Sequence, residues 1–123
     1  MSIRFSLKAT GMKLTPTIRG YVTEKVHMLE KYIDPDDSSV FAGIEVGKTT
    51  RHHQSGPVFL AEITMHAAGK NFRADATHED LFAAIDEMKD EIARELRRTK
   101  RKRRVLKLRG ARRAKRTIRK FYR

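Results

Sequence analysis

The sequence predicts an α+β sandwich in which two helices pack on one face of a four-stranded sheet. Four segments alternate apolar and polar residues with the period of a strand, and two segments repeat apolar residues at helical spacing. These segments follow one another in the order β-α-β-β-β-α, and three consecutive strands between two helices favour a meander. The 123 residues are about enough for one domain.

The first strand and the first helix are marked close to the amino terminus. Residues 2–9 alternate, and the apolar positions that would face the core are Ile3, Phe5, Leu7 and Ala9. Thr15 followed by Pro16 is typical of a helix N-cap with proline in the first turn. Apolar residues then recur at helical spacing through Ile33, which predicts a helix over 16–33, followed by a loop over 34–39.

The three remaining strands and the second helix follow in sequence. Alternation predicts strands over 40–48, 58–66 and 71–76, with a loop over 49–57 and a hairpin turn over 67–70. Thr77 is the predicted cap of the second helix. The predicted buried stripe of that helix consists of Leu81, Ala84, Ile85, Met88, Ile92 and Leu96.

The charge is divided unevenly along the chain. The formal charge is +13, yet residues 1–96 hold only 12 of the 28 basic residues and all 15 acidic ones, while 97–123 hold 16 basic residues and no acidic one. We therefore expect a domain over 1–104 and a basic tail over 105–123 that is flexible when unbound, because the apolar stripe fades after Leu96. A segment this basic favours a polyanionic partner.

Several classes of activity are disfavoured by the composition. The chain has no Cys, which excludes disulfides, thiolate metal sites and Cys nucleophiles. His52, His53 and His66 have no further ligands near them in sequence, and the acidic loop over 34–37 lacks the Gly and Glu of a calcium loop. With no nucleotide-binding or nucleophile motif either, we expect no enzymatic activity, catalytic residue, cofactor, metal or small-molecule substrate. No signal peptide or membrane span is evident, so a cytoplasmic location is expected.

Two separated motifs resemble one known family. Residues 77–86 read Thr-His-Glu-Asp-Leu-Phe-Ala-Ala-Ile-Asp, and the first helix carries Leu-Thr-Pro at 14–16, Tyr-Val at 21–22, Lys25 and Leu-Glu-Lys-Tyr at 29–32. These motifs resemble the ribosome hibernation factors, the family of hibernation-promoting factor, ribosome-associated inhibitor A and ribosomal subunit interface protein. The resemblance spans about 1–104, and the fold it implies is similar in outline to double-stranded RNA-binding domains.

The resemblance implies a protein that occupies the decoding region of the small ribosomal subunit. Members of the family overlap the mRNA channel and the A and P tRNA sites, and they keep the idle ribosomes of stressed or stationary-phase cells inactive. The chain resembles the short class of members, which lack a dimerisation domain, so we expect a monomer off the ribosome. Among short relatives both promotion of ribosome pairing and opposition to it occur.

Candidate RNA contacts follow from the charge pattern and the resemblance together. Lys25 falls within the apolar stripe of the first helix, so it either covers apolar surface or contacts a phosphate. The family's basic positions match Arg94, Arg98, Lys100 and Lys102, whereas Glu91 and Glu95 depart from its Lys and Gln. The candidate RNA-binding residues are Lys25, Lys31, Lys89, Arg94, Arg97, Arg98, Lys100, Arg101, Lys102, Arg103 and Arg104.

The function predicted from these features is translational repression by steric occupancy, with small-subunit RNA as the partner. The alternative is a constitutive structural ribosomal protein or RNA chaperone, and a weaker third possibility is a nucleoid-type DNA binder. We expect the tail to lie along ribosomal RNA near the mRNA path and to become ordered on binding.

Overall fold

The computed structural model describes residues 3–49 and 58–121, with side chains for all of these except 107 and 111–121. The predicted fold class and element order are confirmed. The elements are β1 (Arg4–Thr10), α1 (Pro16–Leu29), a 3-10 turn (Glu30–Tyr32), β2 (Phe41–Thr49), β3 (Val58–Ala67), β4 (Lys70–His78) and α2 (Leu81–Phe121). His52 and His53, which the sequence placed in a loop, lie outside the described residues.

The sheet has the strand order β1-β2-β3-β4, and β1 is parallel to β2. The other two pairs are antiparallel, which confirms the predicted meander. The register aligns the core-facing side chains in rows across all four strands, as in the row formed by Leu7, Ile44, Ile63 and Ala74. Helix α2 lies over β3 and β4 and contacts α1 beside it.

The core fills the space between the sheet and the two helices. Helix α1 buries Ile18, Val22, Val26 and Leu29, and α2 buries its whole predicted stripe together with Ala93. Each large side chain removed from water here contributes about 1.5–3 kcal/mol. The opposite sheet face is polar, with one row across the four strands formed by Lys8, Glu45, Glu62 and Asp75. Burial of their apolar stripes therefore holds both helices on one face of the sheet and leaves the other face polar.

The two helices begin at different kinds of cap. The Thr15 hydroxyl accepts a hydrogen bond from the Ile18 N–H at 3.2 Å, which confirms the predicted cap of α1. The prediction that Thr77 caps α2 is wrong, because Thr77 is still paired with Leu60 in β4. Asp80 caps α2 instead, and its carboxylate accepts from the Phe82 N–H at 3.0 Å.

The hairpin between β3 and β4 has an unusual backbone at Ala68. Ala68 and Gly69 have φ values of 56° and 72°, the combination of a type I′ turn, and such a conformation costs a non-glycine residue about 1–2 kcal/mol. The Ala68 N–H donates to a carboxylate oxygen of Asp37 at 2.8 Å, and the Ala68 carbonyl accepts from the Arg103 guanidinium at 3.2 Å. The turn is thereby tied both to the loop after α1 and to α2.

Helix α2 is longer than the sequence predicts. The helix continues through Phe121, 25 residues beyond Leu96, the last residue of its predicted buried stripe. Arg, Lys, Leu and Ala are good helix formers, so a helix can continue without an apolar stripe to pack. Flexibility of 105–123 in the absence of a partner stays a prediction. Within the described ranges, no helix combines the length and apolar composition that crossing a bilayer requires.

Candidate nucleic-acid interface

The outer half of α2 presents a dense group of exposed cations. Arg97, Arg98 and the five basic residues over 100–104 are all exposed, and no acidic residue follows Glu95 in the chain. Within this group, Arg98 makes the one salt bridge formed by the described residues, to Glu95 at 3.2 Å. The remaining charges are uncompensated by carboxylates in the described part of the chain, so the segment attracts polyanions.

Backbone carbonyls of other elements hold two of these cations in place. The Lys100 ammonium donates to the Lys31 carbonyl at 3.0 Å, and Arg103 donates to the Ala68 carbonyl as described above. A carbonyl is neutral, so these bonds orient the cations without cancelling their charge. Lys has three donors and Arg has five, and most of them remain available for a ligand.

Tyr32 brings the end of α1 into the same cationic surface. The Lys31 ammonium lies 5.2 Å from the centre of the Tyr32 ring, and the Arg97 guanidinium carbon lies 6.0 Å from it. Such contacts contribute about 0.5–1 kcal/mol at exposed sites. We name the resulting group the outer cation surface, and its members are Lys31, Arg97, Arg98, Lys100, Arg101, Lys102, Arg103 and Arg104.

Lys25 lies elsewhere, in a polar cluster between the two helices. Its ammonium lies 3.0 Å from a carboxylate oxygen of Asp86, and the Tyr21 hydroxyl donates to the same oxygen at 2.6 Å. The ammonium also lies 4.9 Å from the centre of the Tyr21 ring, whose plane meets Phe82 edge to face. The side chain of Lys25 is only 18% exposed, and its ammonium is paired with Asp86. The main effect of its charge is therefore to stabilise the contact between α1 and α2.

The pKa values of this cluster are shifted in agreement with its hydrogen bonds. The bond to Asp86 raises the pKa of Lys25, and it also raises the pKa of the Tyr21 hydroxyl. Burial opposes ionisation of Asp86, but the hydrogen bonds from Tyr21 and Lys25 outweigh it, so the pKa of Asp86 is lowered. The cluster is thus an ionised pair with a neutral Tyr21 over a wide pH range. The predicted phosphate contact of Lys25 stays a prediction.

The inner half of α2 carries mixed charges. The Lys89 ammonium lies 3.3 Å from Asp90, and its side chain is 23% exposed. Arg94 lines a groove beside β4 that also holds the carboxylates Asp75, Glu87, Asp90, Glu91 and Glu95. The departures from the family pattern at Glu91 and Glu95 are therefore confined to this acidic groove. The structure places Lys25 and Lys89 outside the outer cation surface, and Arg94 in a groove that it shares with Arg98 of that surface.

Some features of the surface were missed from the sequence. The role of Asp86 was not foreseen, although Tyr21 and Lys25 stand four residues apart, the spacing of neighbours on a helix face. The hydrogen bonds from Lys100 and Arg103 to the carbonyls of Lys31 and Ala68 leave no pattern in the sequence that could predict them. In the loop after α1, Asp34 accepts from the Asp36 N–H at 2.9 Å, and the described residues include no cluster of three potential metal ligands.

Comparison with protein families gives one match that covers most of the chain. A sequence model of the family described as "Sigma 54 modulation protein / S30EA ribosomal protein" matches residues 5–104. The matched range includes the sheet, α1 and the part of α2 that carries the outer cation surface. It does not include residues 105–123.

Curated relatives agree with this match. The "Ribosome hibernation promoting factor" of Escherichia coli K12 is 31% identical over 94 residues, which are 76% of this chain and 90% of that protein. The "Ribosome hibernation promotion factor" of Lactococcus lactis is 28% identical over 98 residues, 80% of this chain. The aligned region spans 50% of the Lactococcus protein, which is therefore about twice as long as the shared part.

Solved structures share the fold. The N-terminal domain of Thermus thermophilus Protein Y superposes with a TM-score of 0.66 and 26% identity, over 80% of this chain and 99% of that domain. A ribosomal subunit interface protein from Coxiella burnetii superposes with a TM-score of 0.62 over 80% of this chain and 98% of its own. At 16% identity this second likeness supports the fold alone.

Proposed function

The chain belongs to the Sigma 54 modulation protein / S30EA ribosomal protein family, and on that premise we propose that it is a ribosome-binding hibernation factor. The family consists of non-enzymatic ribosome-binding proteins, so binding rather than catalysis is the activity to explain. Association with ribosomes implies that the protein acts in the cytoplasm.

The observation that carries the proposal is the outer cation surface. It joins cations from two elements that lie far apart in sequence, and among the described residues only Arg98 of this surface forms a salt bridge, whereas an ordinary solvated face mixes charges of both signs. Cations that neutralise phosphates release counterions, which gives strong and salt-dependent affinity for RNA. Arg side chains, the majority of this surface, additionally form two-pronged bonds to phosphate.

The finer proposal places the protein at the decoding region of the small subunit. In this arrangement the outer cation surface contacts ribosomal RNA phosphates, and the body of the sandwich fills space that mRNA and tRNA otherwise occupy. Lys89, Arg94 and Lys25 would add contacts outside this surface, weaker ones because each already has a carboxylate beside it. Translation is repressed because mRNA and tRNA are sterically excluded. The protein would act in this way on the idle ribosomes of starved or stationary-phase cells.

The testing experiment is cosedimentation of the protein with ribosomes from growing and from starved cells. We expect enrichment on idle ribosomes during starvation and release when translation resumes. A bound structure on the small subunit should place the sandwich over the mRNA channel. A variant tests the surface itself. With Gln substituted at Lys100, Arg101, Lys102 and Arg104, the protein should fold normally and lose cosedimentation.

Other results would replace the proposal. Constant stoichiometry on ribosomes of growing cells would instead identify a structural ribosomal protein or RNA chaperone. Association that is removed by deoxyribonuclease would identify a DNA-binding protein.

A further inference from the structure

A groove of about 330 Å³ opens inside the outer cation surface. It lies between the loop over 34–37, the β3–β4 hairpin and the part of α2 over 99–104. Its volume falls at the lower end of ligand sites, which range over about 300–1,000 Å³. A site of this size suits a single small group rather than an extended peptide.

The floor and the walls of the groove differ in character. The floor is formed by apolar side chains packed into the core, among them Ile33, Phe72 and Leu96. On the α2 wall stand three cations, Lys100, Arg103 and Arg104, each without a carboxylate partner among the described residues. An apolar floor beside a row of cations matches a ligand that has a flat apolar part and a phosphate.

The facing wall carries two carboxylates, Asp34 and Asp37, which differ in how many of their hydrogen bonds are made within the fold. Asp37 is committed to the fold, because its oxygens accept from Ser39 and from the Ala68 N–H, and the Ser39 hydroxyl chiefly lowers its pKa. Asp34 accepts one backbone bond and keeps acceptor sites free. A free carboxylate oxygen across the groove from the cations suits an N–H donor such as the amino group of a nucleobase.

We propose that this groove binds one unpaired nucleotide of ribosomal RNA, with the base on the apolar floor and the phosphate on Lys100, Arg103 and Arg104. The inference rests on the proposed function and deepens it, because it adds base capture to contacts with phosphates alone. Single-stranded RNA is commonly recognised in this way, by unstacked bases held on apolar or aromatic side chains. The ties of Lys100 and Arg103 to backbone carbonyls hold the phosphate-binding groups ready beside the floor.

The test measures binding of the full chain to two labelled RNA strands by fluorescence anisotropy. One strand has six adenosines, and the other has the same backbone with abasic ribose at all six positions. The phosphate count is equal, so we expect about tenfold weaker binding of the abasic strand, the effect of losing one captured base. Equal affinity for the two strands would overturn the proposal without any substitution in the protein.

A pair of variants locates the effect. Thr99 lines the groove, and Thr99→Phe fills it without changing any charge; Thr17 is exposed near the start of α1, and Thr17→Phe is the matched control. We expect about tenfold weaker binding of the adenosine strand by Thr99→Phe alone, with binding of the abasic strand unchanged. Equal losses in both variants, or none in either, would contradict the assignment. Thermal unfolding of both variants checks that each is folded.

Free adenosine monophosphate serves as a competitor. We expect it to compete at least about a hundredfold more weakly than the strand, because it lacks the neighbouring phosphate contacts. Competition as strong as that of the strand would assign the groove to a free nucleotide and overturn the RNA assignment. Cosedimentation of the wild-type protein with ribosomes is measured separately, so failure of the hibernation proposal and failure of the groove proposal are distinguishable.

Discussion

The two halves of α2 belong to one helix but differ in burial and in charge. The half that packs on the sheet buries Leu81 through Leu96 on one side and mixes acidic with basic residues on the other. The outer half has no acidic residue, and its apolar side chains Val105, Leu106 and Leu108 are exposed. The inner half packs on the sheet, whereas most cations of the outer half form no salt bridge and its apolar side chains named above pack on nothing, as far as the described residues show.

This difference separates stability from binding along a single element. Substitutions in the inner half should act on the free energy of unfolding, and substitutions in the outer half should act on affinity for RNA. The four predictions below test that separation.

The largest expected effect compares the same substitution in each half. Leu96 is 3% exposed and Leu106 is 59% exposed. Leu96→Ala should lower the free energy of unfolding by about 2–5 kcal/mol, because it leaves a cavity in the core. Leu106→Ala should change it by less than about 0.5 kcal/mol. Urea denaturation measures both, and similar losses would show that the outer half packs on something within the chain.

Removal of residues 105–123 should act on affinity with little effect on unfolding. Nine cations are lost, so binding to ribosomes should weaken by about tenfold or more at low salt and depend less steeply on salt concentration. Cosedimentation across a salt series measures both quantities. Unchanged affinity at every salt concentration would remove 105–123 from the binding surface.

The cluster that joins the two helices should make stability depend on pH. Asp86→Asn should cost about 1–2 kcal/mol near neutral pH, through the bonds to Tyr21 and Lys25. Since folding lowers the pKa of Asp86, its contribution is complete above the pKa of the unfolded chain and disappears as the pH falls through the folded value. Denaturation between pH 3 and 7 should therefore show the two proteins converging at low pH. Asp90→Asn, on the same helix beside Lys89, is the control and should cost less than about 0.5 kcal/mol.

The smallest effect compares one Arg from each half. Arg104→Gln should weaken RNA binding by about two- to fivefold, the effect of one phosphate contact. Arg94→Gln should have less effect, because Arg94 stands among carboxylates that already oppose an approaching phosphate. Anisotropy with a labelled single strand measures both. A larger loss at Arg94 would move the binding surface toward β4 and away from the outer cation surface.

The sandwich could be predicted almost completely because its elements depend on local patterns. The alternation in β2 and β3 and the spacing in α1 each reflect burial of one face, and burial follows the sequence period directly. Thr77 was misassigned because a good capping residue is also a good strand residue, and only the pairing with Leu60 decides between the two. The length of α2 was missed because an exposed basic helix leaves no periodic pattern.

The candidate site could be predicted only as a list of charges. Sequence alone places Lys31 and Lys100 in different elements, and their contact through a backbone carbonyl exists only in the folded chain. The same holds for Lys25, whose partner Asp86 lies 61 positions away. Composition thus indicates which charges are present, and tertiary structure decides which of them are neutralised.

The length of α2 extends the distance over which this small protein can act. A helix rises about 1.5 Å per residue, so its 41 residues measure about 60 Å, twice the width of a small domain. The stretch beyond Leu96 alone reaches about 37 Å from the core. A particle of this shape can contact two points on a ribosome that the sandwich could not bridge, and the second contact slows escape from the first.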